Sequence, residues 1–85
     1  MADTFLLEVA TPERLMVREN VSEAQIPAVD GYVGILPGHA AMLSELGSGV
    51  LSYTADGHRR SLRIEGGWLE VSNDRARVLA TAASE

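Results

Sequence analysis

The chain has 85 residues, 46% hydrophobic and 22% charged, with a formal net charge of −5 and no cysteine. That length fits one domain, residues 1–85, and the missing cysteines exclude a disulfide framework and make a structural zinc site improbable. The acidic balance, with all seven basic residues Arg, argues against a nucleic-acid binder, whose affinity comes mainly from Lys and Arg neutralising phosphates.

Residues 4–10 alternate, with Phe5, Leu7 and Val9 on one face, the period of a half-buried strand. Thr11-Pro12-Glu13 breaks the run, because proline fixes φ and lacks a ladder donor. Residues 15–20 alternate again, Leu15 and Val17 inward, Arg14, Met16 and Arg18 on the other face. Ala24, Ile26 and Ala28 group next, and Asp30-Gly31 is a two-residue hairpin signal before a short strand over residues 32–36. Residues 40–47 read differently. Ala and Leu are strong helix formers and Gly47 suits a helix end, so a helical turn is predicted there. Residues 50–55 lead to a second hairpin signal, Asp56-Gly57. Residues 60–65 are the cleanest strand, Leu62 and Ile64 in, Ser61, Arg63 and Glu65 out. Gly66-Gly67 allows a turn or bulge. Residues 68–72, the turn Asn73-Asp74 and residues 75–80, with Ala76, Val78 and Ala80 on one side, complete the series. The tail, residues 81–85, is expected to fray. The fold class is all-β, a sandwich or barrel of short strands.

No catalytic arrangement emerges. His39 and His58 share no ligand spacing with nearby carboxylates. His58 sits at a turn tip, and His39 suits a structural role, capping or bonding a loop carbonyl. Ser44, His39 and Asp30 can be named as a triad, but no nucleophile-elbow pattern supports it, and Gly47-Ser48-Gly49 is too short for a phosphate cradle. No cofactor or metal is called for. The start, Met1-Ala2-Asp3-Thr4, is acidic, and no apolar run nears the roughly 18–20 residues that span a bilayer. No signal peptide or membrane insertion is expected. The composition supports a compact binding module, with Met16, Tyr32, Met42, Leu43 and Trp68 as the adhesive side chains. Trp68 shares a strand face with Glu70 and Ser72, an unusual place for tryptophan in a small monomer.

The order of motifs adds more. Leu7-Glu8-Val9-Ala10-Thr11-Pro12-Glu13-Arg14 opens the chain. Gly31-Tyr32-Val33-Gly34-Ile35-Leu36-Pro37-Gly38-His39-Ala40 stands at its centre. Gly49-Val50-Leu51, Ile64-Glu65-Gly66-Gly67-Trp68-Leu69-Glu70-Val71 and Arg77-Val78-Leu79-Ala80 follow. In this order the blocks resemble the N-terminal β-sandwich domain of the ε subunits of F-type ATP synthases. The resemblance implies two antiparallel sheets of about ten strands, with residues 40–46 extended rather than helical. It implies a non-catalytic rotor part that binds the γ subunit and meets the c-ring, coupling proton-driven rotation to ATP synthesis. It places the protein on the cytoplasmic face of a bacterial plasma membrane as a peripheral component. The γ contact is expected at Leu15, Met16, Met42, Leu43 and Trp68, and the ring contact at Val29, Asp30, Gly31, Tyr32 and His39. Such subunits usually continue into two C-terminal helices, so helix-based inhibition and ATP sensing are not expected of these 85 residues. A small carbohydrate- or peptide-binding sandwich is the alternative.

Overall fold

Period-two burial governs the chain from Phe5 onward. A computed structural model describes residues 3–85, and Met1 and Ala2 of the acidic start lie outside it. The described residues form β1 (Phe5–Ala10), β2 (Leu15–Val21), β3 (Glu23–Ala28), β4 (Gly31–Ile35), β5 (Met42–Glu45), β6 (Ser48–Ala55), β7 (His58–Ser72) and β8 (Arg75–Ser84). Hydrogen bonds join them in the order β2-β1-β8-β7-β6-β3-β4, with β5 on β7. The β1–β8 pair is parallel and the others antiparallel.

One line of residues folds this sheet into a sandwich. Before it, β7 pairs with β6 through residues 58–65; after it, residues 68–71 pair with β5. Gly66 and Gly67 lie on the line with positive φ of 60° and 113°. Leu46 N–H donates to Gly67 O at 2.8 Å, and Gly66 N–H to Gly47 O at 3.2 Å. The pairing register runs unbroken through this line, with Glu65 on Ala82 and Gly67 on Ala80, and Ser48 on Glu65 and Glu45 on Trp68, so the two positive-φ glycines change the parity of β7 by turning its backbone. Leu62 and Ile64 are buried ahead of the glycines, Leu69 and Val71 beyond them, so both halves of the strand face one core. One layer is then β2-β1-β8-β7-β5 and the other β8-β7-β6-β3-β4. Counted once per layer, the halves of β7 and β8 account for the about ten strands implied by the resemblance. Leu7, Val9, Ile26, Ile35, Leu51, Ile64, Leu69 and Val78 fill the space between.

Four local expectations are corrected. Residues 42–45 are strand β5, not a helical turn, because Met42, Leu43, Ser44 and Glu45 pair with Val71, Glu70, Leu69 and Trp68. A helix so short bears the nucleation cost alone, whereas the ladder satisfies its backbone. The tail does not fray: Ala82, Ala83 and Ser84 pair with Glu65, Ile64 and Arg63. Leu15 is exposed rather than inward, because Ala10 pairs with Leu15 and Val9 with Val17, leaving Met16 at a bulge. The first hairpin closes one residue early, since Ala28 pairs with Gly31 and Val29-Asp30 form the loop. The other hairpins are as predicted. Asp56-Gly57 (φ 52° and 75°) and Asn73-Asp74 (φ 51° and 55°) carry positive φ at both loop positions, as type I′ turns require.

A polar group closes the gap between β2 and β6. The Tyr53 hydroxyl donates to Glu19 at 3.3 Å, and Arg60 lies 3.9 Å from the same carboxylate. Burial first, then the Glu19 charge, pushes the Tyr53 phenol above its ordinary 10.0. The folded state thus holds this proton more tightly than the unfolded chain. Its stabilisation is complete below about pH 10 and is lost as pH rises through the folded value.

Three outcomes follow for urea unfolding. Gly67→Ala is expected to cost about 3 kcal/mol or more, because a Cβ there would run into the Leu79 carbonyl at a positive φ, combining strain with overlap. Gly57→Ala, also at positive φ but with open space around it, should cost about 1 kcal/mol. Tyr53→Phe should flatten the fall in stability above pH 10 relative to the parent chain, measured as a series of midpoints against pH.

Candidate interaction face

Strand register sets what the outer face of the β2-β1-β8-β7-β5 layer displays. Glu45 pairs with Trp68, Trp68 with Leu79, Leu79 with Ala10 and Ala10 with Leu15. These five residues form one row across five strands, next to the glycine corner. Neighbouring strands lie about 4.8 Å apart, so the row is about 19 Å long. Leu15, Trp68 and Leu79 are each about half exposed, at 54%, 51% and 52%. The adjoining row is Leu43, Glu70, Arg77, Glu8 and Arg18. Its charges alternate and meet: Glu8 lies 3.3 Å from Arg18, 3.6 Å from Arg77 and 3.7 Å from Arg75, and Arg77 lies 3.9 Å from Glu70. Such exposed pairs add little stability, but they leave this row balanced in charge beside an apolar one.

The five residues expected at the γ contact therefore divide. Leu15, Leu43 and Trp68 stand on this outer face. Met42, paired with Val71, and Met16, at the bulge, are half-buried against the core instead. Leu79, not among the residues expected at the contact, belongs with Trp68. Its signal was available, since it occupies the outward position between buried Val78 and Ala80.

The five residues expected at the c-ring also divide. Val29 and Asp30 form the exposed tip of the β3–β4 hairpin, tied to β5 where Val29 N–H donates to Glu45 O at 3.1 Å. Gly31 follows with φ 123°. The Tyr32 side chain does not project from the tip. It lies along the outside of the second layer, where its hydroxyl accepts the Val50 N–H at 3.0 Å. Gly49 makes room for it, because a Cβ there would lie 2.6 Å from the Tyr32 hydroxyl. The β3–β6 ladder runs only to Gln25 and Ser52, and Pro27 has no N–H, so Tyr32 continues the link between strands with its side chain. His39 is at the other end of β4, half-buried over Phe5, Ile35 and Val71. Its Nδ1–H donates to Ala40 O at 2.6 Å, and the preceding Gly38 N–H donates to Asp74 at 2.7 Å. His39 closes one end of the core and does not join the Val29–Asp30 tip.

The Ser44–His39–Asp30 set is not assembled. Asp30 and His39 lie at opposite ends of β4, Ser44 donates to Glu45 O, and no hydroxyl lines the hollow beside His39. Among the described residues no group of three or more His, Asp or Glu side chains is placed to hold a metal ion. No helix among them is long and apolar enough to cross a membrane.

Fold and face together define a small β-sandwich domain with an uncovered apolar row. The chain belongs to the family whose model is described as ATP synthase, Delta/Epsilon chain, beta-sandwich domain, which matches residues 4–85. A relative from Solibacter usitatus named ATP synthase epsilon chain is 55% identical, covering 98% of this chain and 62% of its own length. One of the same name from Koribacter versatilis is 46% identical, over 98% of this chain and 58% of the relative. The chain thus spans about three-fifths of the length of the relatives it matches. Among solved structures, a chain of the Euglena gracilis mitochondrial ATP synthase, in an assembly titled OSCP/F1/c-ring, superposes with a TM-score of 0.90 at 21% identity, over 99% of this chain and 54% of that one. A chain of the Tetrahymena thermophila mitochondrial enzyme, titled central stalk/c-ring, gives 0.79 at 15% identity over 94% and 65%. At these identities the likeness is one of fold.

Tyr32→Phe should remove the bond to Val50 N–H and lower stability by about 1 kcal/mol. Amide hydrogen exchange at Val50 should quicken, while exchange in β1 and β8 follows only the global change.

Proposed function

We propose that this chain serves as the β-sandwich domain of an ATP synthase ε subunit, a single non-catalytic rotor domain. On this reading it binds the γ subunit through the outer face bearing Leu15, Leu43, Trp68 and Leu79, and meets the c-ring through Val29 and Asp30. The observation that carries the reading is the apolar row. Three half-exposed large side chains, aligned across strands beside a charge-balanced row, suit an interface with an apolar centre and a polar rim. Membership of the delta/epsilon-chain family and the epsilon-chain names of its relatives support the assignment. Met16 and Met42 then act from beneath, by backing the strands that carry the face. Tyr32 positions the hairpin tip, and His39 closes the core.

A rotor component has to pass on torque without yielding. A close-packed sandwich deforms little, and the glycine corner ties its layers together by backbone bonds. Coupling ring rotation to ATP synthesis elsewhere in the complex needs stiffness and two contact sites, and no bond chemistry. The location that follows is peripheral, at the cytoplasmic face of a bacterial plasma membrane, held there by the c-ring. The alternative of a carbohydrate- or peptide-binding module, which would present an aromatic groove, is less favoured: Trp68 stands beside Leu79, whereas Tyr53 is in the core and Tyr32 lies on the other layer.

Binding to purified γ from the same source, measured by calorimetry, tests the proposal. A one-to-one complex is expected. Trp68→Ala and Leu79→Asp should each weaken it at least tenfold, about 1.4 kcal/mol, with little loss of stability because both side chains are half exposed. Asp30→Ala should leave γ affinity unchanged and weaken capture by isolated c-ring. A folded chain that shows no affinity for γ overturns the proposal. Loss of stability without loss of affinity in Trp68→Ala would make Trp68 a packing residue.

A further inference from the structure

The charges on the outer face are distributed unevenly. In the second row Glu8 and Glu70 are matched by Arg18, Arg75 and Arg77. The apolar row has one ionisable member, Glu45, and it makes no ion pair among the described residues. Glu45 is the cross-strand neighbour of Trp68, which brings their Cβ atoms to within about 5 Å. Both border an open hollow of about 510 Å³, bounded beyond them by Leu79 and by Thr11 and Pro12 of the β1–β2 turn. The backbone of this carboxylate is held in place, since Glu45 O accepts Val29 N–H and Leu46 N–H donates to Gly67 O.

A partner that covers Trp68 and Leu79 therefore covers Glu45 as well. Taking a carboxylate out of water without a counter-charge costs enough to offset the gain from burying the apolar row. We infer that the segment of γ docked here carries a basic side chain whose cationic head enters the hollow between the Trp68 ring and the Glu45 carboxylate. This rests on the γ reading above and adds the chemistry of the contact. A guanidinium meets the demand better than an ammonium. It stacks on the indole face and donates two parallel hydrogen bonds to the carboxylate. The apolar flank of the same segment then lies on Leu79, Ala10 and Leu15. Glu45 acts in specificity, by rejecting apolar or acidic segments that fit the row in shape alone.

The test is calorimetric titration of purified γ against the parent chain, Glu45→Gln, Leu79→Asp and a distant charge control, Asp56→Asn, from about 50 mM to 500 mM salt. Glu45→Gln should weaken binding about tenfold at the lowest salt. Asp56→Asn should change it less than twofold, and the gap between parent and Glu45→Gln should narrow as salt screens the pair. Trp68 is the chain's only tryptophan, and circular dichroism with its emission confirms that each free variant is folded. If Leu79→Asp weakens binding while Glu45→Gln binds as tightly as the parent or tighter, the basic contact is overturned and the γ face stands. If the folded parent chain does not bind γ, both fall.

Discussion

The parity switch in β7 is the constraint on which the rest of the molecule depends. A strand that alternates without interruption presents one parity to the core, and a strand of 15 residues would run straight past a domain this small. Gly66 and Gly67 turn the chain through backbone angles that side chains resist, with no shift in the pairing register. Leu62 and Ile64 fill the core from one layer and Leu69 and Val71 from the other. The same corner gives Leu46 and Gly47 their hydrogen-bond partners, and so determines where β5 ends and β6 begins.

The proposed interaction face is a by-product of that corner. Without the glycine turn, the parity of Leu62 and Ile64 would carry Trp68 inward. With it, Trp68 emerges on the outside next to the fold line, on the row that Leu79, Ala10 and Leu15 complete. Anything bound there lies beside the fold line, where Leu46 and Gly47 are hydrogen-bonded to Gly67 and Gly66. A hairpin tip anchored to the same corner through Val29 N–H and Glu45 O forms the second contact. The two proposed sites thus adjoin one corner of the fold, which suits the proposed rotor role.

Much of this was legible in the residues. Alternation placed β1 and both halves of β7, and the Asp56-Gly57 and Asn73-Asp74 turns were visible because few other dipeptides tolerate two positive φ values. The order of motifs around Pro37-Gly38-His39-Ala40 pointed to the family. Residues 40–47 misled because helix propensity is a local quantity, and their pairing with Val71, Glu70, Leu69 and Trp68 lies about 25 residues along the chain. The tail was judged by its small polar side chains, although its partner is the backbone of residues 63–65. His39 and Tyr32 stood close in sequence to the hairpin tip, yet a five-residue strand carries His39 to the opposite end of the layer, and a bond to Val50 draws the Tyr32 ring onto the sheet.

By itself, the sequence determined which residues alternate, where the chain must turn, and the family to which it belongs. These follow from side-chain period and backbone freedom, which are properties of neighbours along the chain. Only the tertiary structure decided which strands share an edge, and so which side chains stand in one row. Leu15, Ala10, Leu79, Trp68 and Glu45 come from five strands and adjoin only through inter-strand register. That register is set by long-range hydrogen bonding and by the glycine corner, because a shift of one residue anywhere would turn the row to the opposite face.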